Sequence, residues 1–75
     1  MLKLIQRINS HLTARGATRE QFRDELNNIL PPARRLKSNH SGLVQVIRWL
    51  DPTSSRWAEP KGEVALAMLQ WADRQ

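Results

Sequence analysis

The sequence predicts an all-α fold of four short helices, with room for a fifth, single-turn helix at 33–37. Three observations predict it. Apolar residues recur every three or four positions in four separate stretches, as Leu4, Ile8 and Leu12 do, which is the spacing of one buried helix face. Gly16, Pro31-Pro32, Pro52 and Pro60 punctuate those stretches, where such residues end or open helices. No stretch reads as a strand.

The first helix covers residues 2–14. Leu4, Ile8 and Leu12 form its apolar row, Leu2 and Ile5 widen it, and Lys3, Gln6 and Arg7 lie away from it. Gly16 ends the helix because glycine tolerates the left-handed conformation that closes many helices. The second helix spans 18–30. Thr18-Arg19-Glu20-Gln21 matches a capping box, in which the first side chain accepts from the third-residue amide and the last reaches back. Glu20 complements the helix dipole. Phe22, Leu26, Ile29 and Leu30 make the buried stripe, and Arg23, Asp24 and Asn27 face solvent. Pro31-Pro32 stops the helix by removing amide donors and displacing the preceding residue from the helical region.

Residues 31–40 form a basic, mostly irregular connector. It exceeds the roughly two to eight residues usual between packed helices, and longer loops are often functional or mobile. The third helix spans 41–51 with Ser41 as N-cap. Leu43, Val46, Ile47 and Leu50 form its buried stripe, while Gln45 and Arg48, three apart, point the other way. Asp51 opposes the dipole at the C-terminal end, which suits a cap or an orienting contact. A turn-rich loop over 53–59 follows. Pro60 announces the fourth helix, to about residue 72. Val64, Ala65, Met68, Leu69 and Trp71 give that helix a wide apolar face, expected to be buried or shared with a second subunit. All three tryptophans read best as structural: Trp49 between the last two helices, Trp57 in the loop, Trp71 on the outer face of the last helix.

At 75 residues the chain makes one small domain over 1–75, and without cysteine it must rely on core packing or dimerisation. No signal peptide or membrane span is apparent, and a cytoplasmic site, bacterial cytoplasm or nucleoid, is expected. The net charge is +5. From Leu26 to Leu50 there is no acidic residue, yet Arg34, Arg35, Lys37 and Arg48 fall inside that window; the remaining eight basic and seven acidic residues nearly cancel. A concentrated positive field favours a polyanionic partner. Catalysis has little support. His11 and His40 lack metal-ligand spacing, Cys and Tyr are absent, and no glycine-rich phosphate loop or clustered carboxylate pair occurs. No enzyme activity, cofactor, metal or small-molecule substrate is therefore expected.

Three segments carry a resemblance. Thr18-Arg19-Glu20-Gln21-Phe22-Arg23-Asp24-Glu25-Leu26 resembles the second helix of the Cro and lambda-repressor-like (Xre-type) helix-turn-helix regulators. Val46-Ile47-Arg48-Trp49-Leu50 is similar to the end of their recognition helix, and Pro60 with Glu63-Val64-Ala65-Leu66 to the start of the helix that follows. The matches run in the family's order and touch about half the chain. The chain departs from the pattern in four ways. Residues 27–42 replace a turn of about three or four residues, Arg23 stands at a position usually filled by a small Ala, Ile47 at a usually polar one, and Asp51-Pro52 replaces Asn-Gly.

The resemblance implies a small transcriptional regulator or repressor of phage or bacterial type. It would bind double-stranded DNA sequence-specifically as a homodimer on a palindromic operator, with helix 41–51 in the major groove. Gln and Arg side chains make paired hydrogen bonds to adenine and guanine edges, which makes Gln45 and Arg48 base-contact candidates. Ser41 and Gly42 join them at the helix start. Thr18, Gln21, Arg34, Arg35, Lys37, Asn39 and His40 are the phosphate-contact candidates; such contacts orient a protein without specifying sequence. The competing reading is a helix-turn-helix-derived protein-binding module, a small inhibitor or adaptor without specific DNA recognition, in which the long connector, Ile47 and the apolar last helix form a partner surface.

Overall fold

The computed structural model describes all residues, Met1–Gln75. Four helices run in the order α1 (Leu2–Arg15), α2 (Arg19–Asn27), α3 (His40–Leu50) and α4 (Gly62–Asp73), and a single 3₁₀ turn, Pro32–Arg34, lies between α2 and α3. No strand is present. The sequence placed a helical turn slightly later, over 33–37.

α1 buries Ile5, Ile8 and Leu12, so its row is turned relative to the expected one: Leu4 is half-buried and Leu2 is exposed. Gly16 closes the helix in the left-handed region, φ 62° and ψ 28°, where a Cβ would be strained. The chain then turns directly into the capping box of α2. Thr18 Oγ1 accepts from the Gln21 amide at 3.1 Å, and Gln21 Oε1 accepts from the Thr18 amide at 2.8 Å.

α2 ends at Asn27, earlier than the expected residue 30. The chain nevertheless continues as a tight turn that seats Leu30 in the core, held by Ile29 and Leu30 amides donating to the Leu26 carbonyl. Two residues assigned to solvent in the sequence are drawn inward. Arg23 is only 7 % exposed; its side chain is buried, with Nε donating to Asp24 Oδ1 at 3.2 Å. Asn27 is half-buried because its amide is spent on the connector.

One core joins all four helices: Ile5, Ile8 and Leu12 from α1, Phe22 and Leu26 from α2, Val46, Trp49 and Leu50 from α3, and Ala67, Met68, Trp71 and Ala72 from α4, with Leu30 beside them. α1 packs on α3 and α4, and α2 packs on the same two helices. Trp71 is a central element of this core at 2 % exposure, not a cover for the outer face of α4. Phe22 stacks edge-on against it at 4.9 Å, and His11 approaches its edge at 6.2 Å. The indole N–H donates to Glu25 Oε1 at 3.2 Å, so the buried ring keeps its polar atom paired. Arg15 grips both oxygens of Glu25 at 3.0–3.1 Å and lies 5.8 Å from the Trp71 ring. The Arg15 hydrogen bond, aided by the Trp71 bond and the Arg15 charge and partly opposed by burial, holds the Glu25 carboxyl below its ordinary range.

α4 begins at Gly62 with Lys61 as N-cap, two residues beyond Pro60. Its buried stripe is Ala67, Met68, Trp71 and Ala72. Leu66 and Leu69 are exposed, so the wide apolar face expected of this helix is only partly buried within one chain. No helix is long and apolar enough to cross a membrane.

Candidate nucleic-acid interface

The core sets which side of α3 meets solvent. Gly42, Val46, Trp49 and Leu50 are buried, an i, i+4, i+7, i+8 stripe. Leu43 is half-buried and Ile47 is 45 % exposed, so the inward stripe is rotated from the expected Leu43–Val46–Ile47–Leu50 set. The outward face accordingly carries His40, Ser41, Ile47 and Arg48, exposed, with half-buried Val44 among them and half-buried Gln45 at its margin. Arg48 is fully on this face; Gln45 lies closer to the packed side.

Asn39, not Ser41, caps the helix. Its Oδ1 accepts from the Ser41 amide at 3.1 Å and the Gly42 amide at 3.4 Å, which is the usual remedy for unpaired first-turn amides. The Asn39 side-chain oxygen is thereby committed to the backbone, whereas the Ser41 hydroxyl is free of the capping role. Gly42 is buried, away from the solvent face. A Cβ built on it would collide with the Lys37 carbonyl group. Its missing side chain admits the connector backbone, not a base edge.

The connector is anchored rather than loose. Asn27 Nδ2 donates to the Leu36 carbonyl at 3.0 Å, and Asn27 Oδ1 accepts from the Leu36 amide at 2.8 Å. One side-chain amide thus pairs with both backbone groups of one residue, as a neighbouring strand would. Arg35 Nε adds a 3.2 Å bond to the Asn27 carbonyl. Lys37 then meets Gly42, so the end of the connector lies against the first turn of α3.

Four of the twelve cations pair with carboxylates. Arg7 pairs with Asp73 at 2.8 Å, Arg15 with Glu25 at 3.0 Å, and Arg23 with Asp24 at 3.2 Å. In the acid-free window only Arg34 has a carboxylate within 4.0 Å, Glu63 at 3.6 Å, with both side chains well exposed. Arg35, Lys37 and Arg48 have none. Their charges face water unneutralised, and all three are exposed.

Of the cations passed over in the sequence, Arg56 lies beside Arg48 and Arg19 is tied through Asn9 toward the end of α3. Arg56 lines a hollow of about 190 Å³ together with Val44, Ile47, Arg48, Asp51 and Ser54. Asp51 closes α3 by an Asx turn, its Oδ1 taking the Thr53 amide at 3.3 Å and hydroxyl at 2.6 Å. That turn brings residues 54–56 back beside the helix. Arg19 donates to Asn9 Oδ1 at 3.3 Å, and Asn9 Nδ2 donates to the Leu50 carbonyl at 2.9 Å. This chain of bonds ties the start of α2, with Thr18 and Gln21, to the C-terminal end of α3. No pattern within the sequence distinguishes Arg19 or Arg56 from an ordinary solvent cation, because both gain their place through residues distant in the chain.

His40 occupies the first turn of α3 and is exposed, whereas His11 packs beside Trp71. Trp57 is half-buried and donates its indole N–H to the Trp49 carbonyl at 3.0 Å, so it braces the loop. No group of three potential metal-ligating side chains occurs. Comparison of the chain with protein-family models, curated proteins and solved structures finds no match.

Proposed function

We propose that this chain binds double-stranded DNA sequence-specifically, with the outward face of α3 in the major groove, and acts as a small transcriptional regulator of the Cro-like, helix-turn-helix kind. One observation carries the reading: within the acid-free window 26–50, Arg35, Lys37 and Arg48 are exposed and none has a carboxylate within 4.0 Å. An 11-residue helix is about 16 Å long, and a major groove admits such a helix. Arg48 is the base reader, able to bond a guanine edge through both of its terminal nitrogens. Arg35 and Lys37 hold phosphates from the N-terminal side of α3, with Ser41 and His40 at the groove edge. Thr18, Gln21 and Arg19 approach the backbone from its other end. Gln45, half-buried, is a secondary contact, and Gly42 and Asn39 serve the architecture of the helix start.

The size of the chain and the exposed leucines of α4 support a homodimer on a palindromic site. The chain measures 29 × 27 × 23 Å between its Cα extremes. Two copies side by side, with their side chains included, approach the ~34 Å spacing of half-sites one helical turn apart. The exposed Leu66 and Leu69 offer α4 as the shared surface. Selection of duplexes from a random pool by the purified chain tests the reading. A short motif repeated with two-fold symmetry is the expected outcome; a pool that stays flat through successive rounds contradicts it.

A further inference from the structure

We infer that the hollow on the outer face of α3 receives the 5-methyl group of a thymine, which makes Ile47 and Val44 specificity-determining residues beside Arg48; the inference rests on the DNA reading above. Ile47 is 45 % exposed in the middle of a helix whose Val46, Trp49 and Leu50 are buried, and it contributes nothing to the core. With Val44 it forms the apolar part of the hollow, whose rim carries Arg48 and Arg56. Neither arginine has a carboxylate within 4.0 Å. The one acidic lining residue, Asp51, has an oxygen engaged by the amide and hydroxyl of Thr53. Two guanidiniums against one carboxylate leave the rim positive.

An occupant must therefore offer a small apolar group framed by negative charge. The major groove presents one apolar group, the thymine methyl, between two rows of phosphates. Position also fits. Val44 and Arg48 are four residues apart on one row of the helix, a rise of about 6 Å, and base pairs are stacked about 3.4 Å apart. A guanine bonded to Arg48 thus places the recognised thymine within two base pairs.

Deoxyuridine keeps every hydrogen-bonding group of thymine and lacks only the methyl. In a duplex enriched from the random pool, each thymine is replaced in turn by deoxyuridine and the affinity remeasured. One replacement, within two base pairs of the guanine whose change Arg48→Ala ignores, is expected to weaken binding about fourfold, the equivalent of one buried methyl group. Ile47→Ala, a change at a solvent-facing position, is expected to keep the helical circular dichroism and to bind the thymine and deoxyuridine duplexes equally. If no single replacement weakens the wild-type chain on a duplex it still prefers over scrambled DNA, the thymine inference is overturned and DNA reading stands. If no duplex is enriched, or an acidic peptide is bound in its place, both fall.

Discussion

Gly42 lets the connector backbone pack against the first turn of α3, and it does so through an absence. The Lys37 carbonyl occupies the space that any Cβ would need. Alanine favours a helix over glycine by about 1 kcal/mol, so Gly42→Ala would stabilise an unencumbered helix. Here the obstacle is backbone, which cannot rotate away as a side-chain tip does. Gly42→Ala is expected to lower stability by about 1–3 kcal/mol, read as a lower urea midpoint. An unchanged or raised midpoint would contradict the contact. A glycine at a helix start looks in the sequence like an opening for a phosphate or base, and only the path of residue 37 reveals the other use. Arg23 is a similar case. Its charge points to solvent when read alone, and its side chain is buried because the surrounding helices enclose it.

Local signals were the most legible at the scale of the element. The Thr18–Gln21 box and the left-handed Gly16 involve residues within a few positions of each other, and both form as their chemistry demands. The inward face of α3 was less legible. Its apolar residues permit two overlapping stripes, and periodicity does not choose between Leu43–Ile47 and Gly42–Trp49 as the flanks of Val46 and Leu50. The choice is made by α2 and α1 packing on it, and it turns Ile47 outward. The connector was expected to be irregular, with nothing in its sequence to announce a clamp from Asn27 nine residues earlier. Asn27→Ala removes both bonds to Leu36 and leaves two partly buried backbone groups unpaired. A loss of about 1–2 kcal/mol is expected, with faster hydrogen exchange at the Leu36 amide and the four helices retained by circular dichroism. Unchanged exchange at Leu36 would show that the clamp does not hold the connector.

The molecule as a whole is one core with an uneven shell of charge. The all-helical class and the number of helices were readable because four amphipathic stretches with clear stops leave few other ways to bury this much apolar surface. The acid-free window was equally readable, as composition. Its counterpart was not, since Arg7 finds Asp73 sixty-six residues away and Arg15 finds Glu25 across the α1–α2 turn. Those pairings engage two cations outside the window, while Arg35, Lys37 and Arg48 inside it stay without a carboxylate. Arg48 is exposed and unpaired, and DNA binding through the surface that carries it is the central claim. The most direct measurement compares the wild-type chain, Arg48→Ala and Lys37→Ala on an enriched duplex and on its scrambled counterpart at one salt concentration. Arg48→Ala is predicted to cost about 1–3 kcal/mol on the enriched duplex and little on the scrambled one, whereas Lys37→Ala weakens both alike. Equal losses for Arg48→Ala on the two duplexes, or no binding to either by the wild-type chain, would contradict the account.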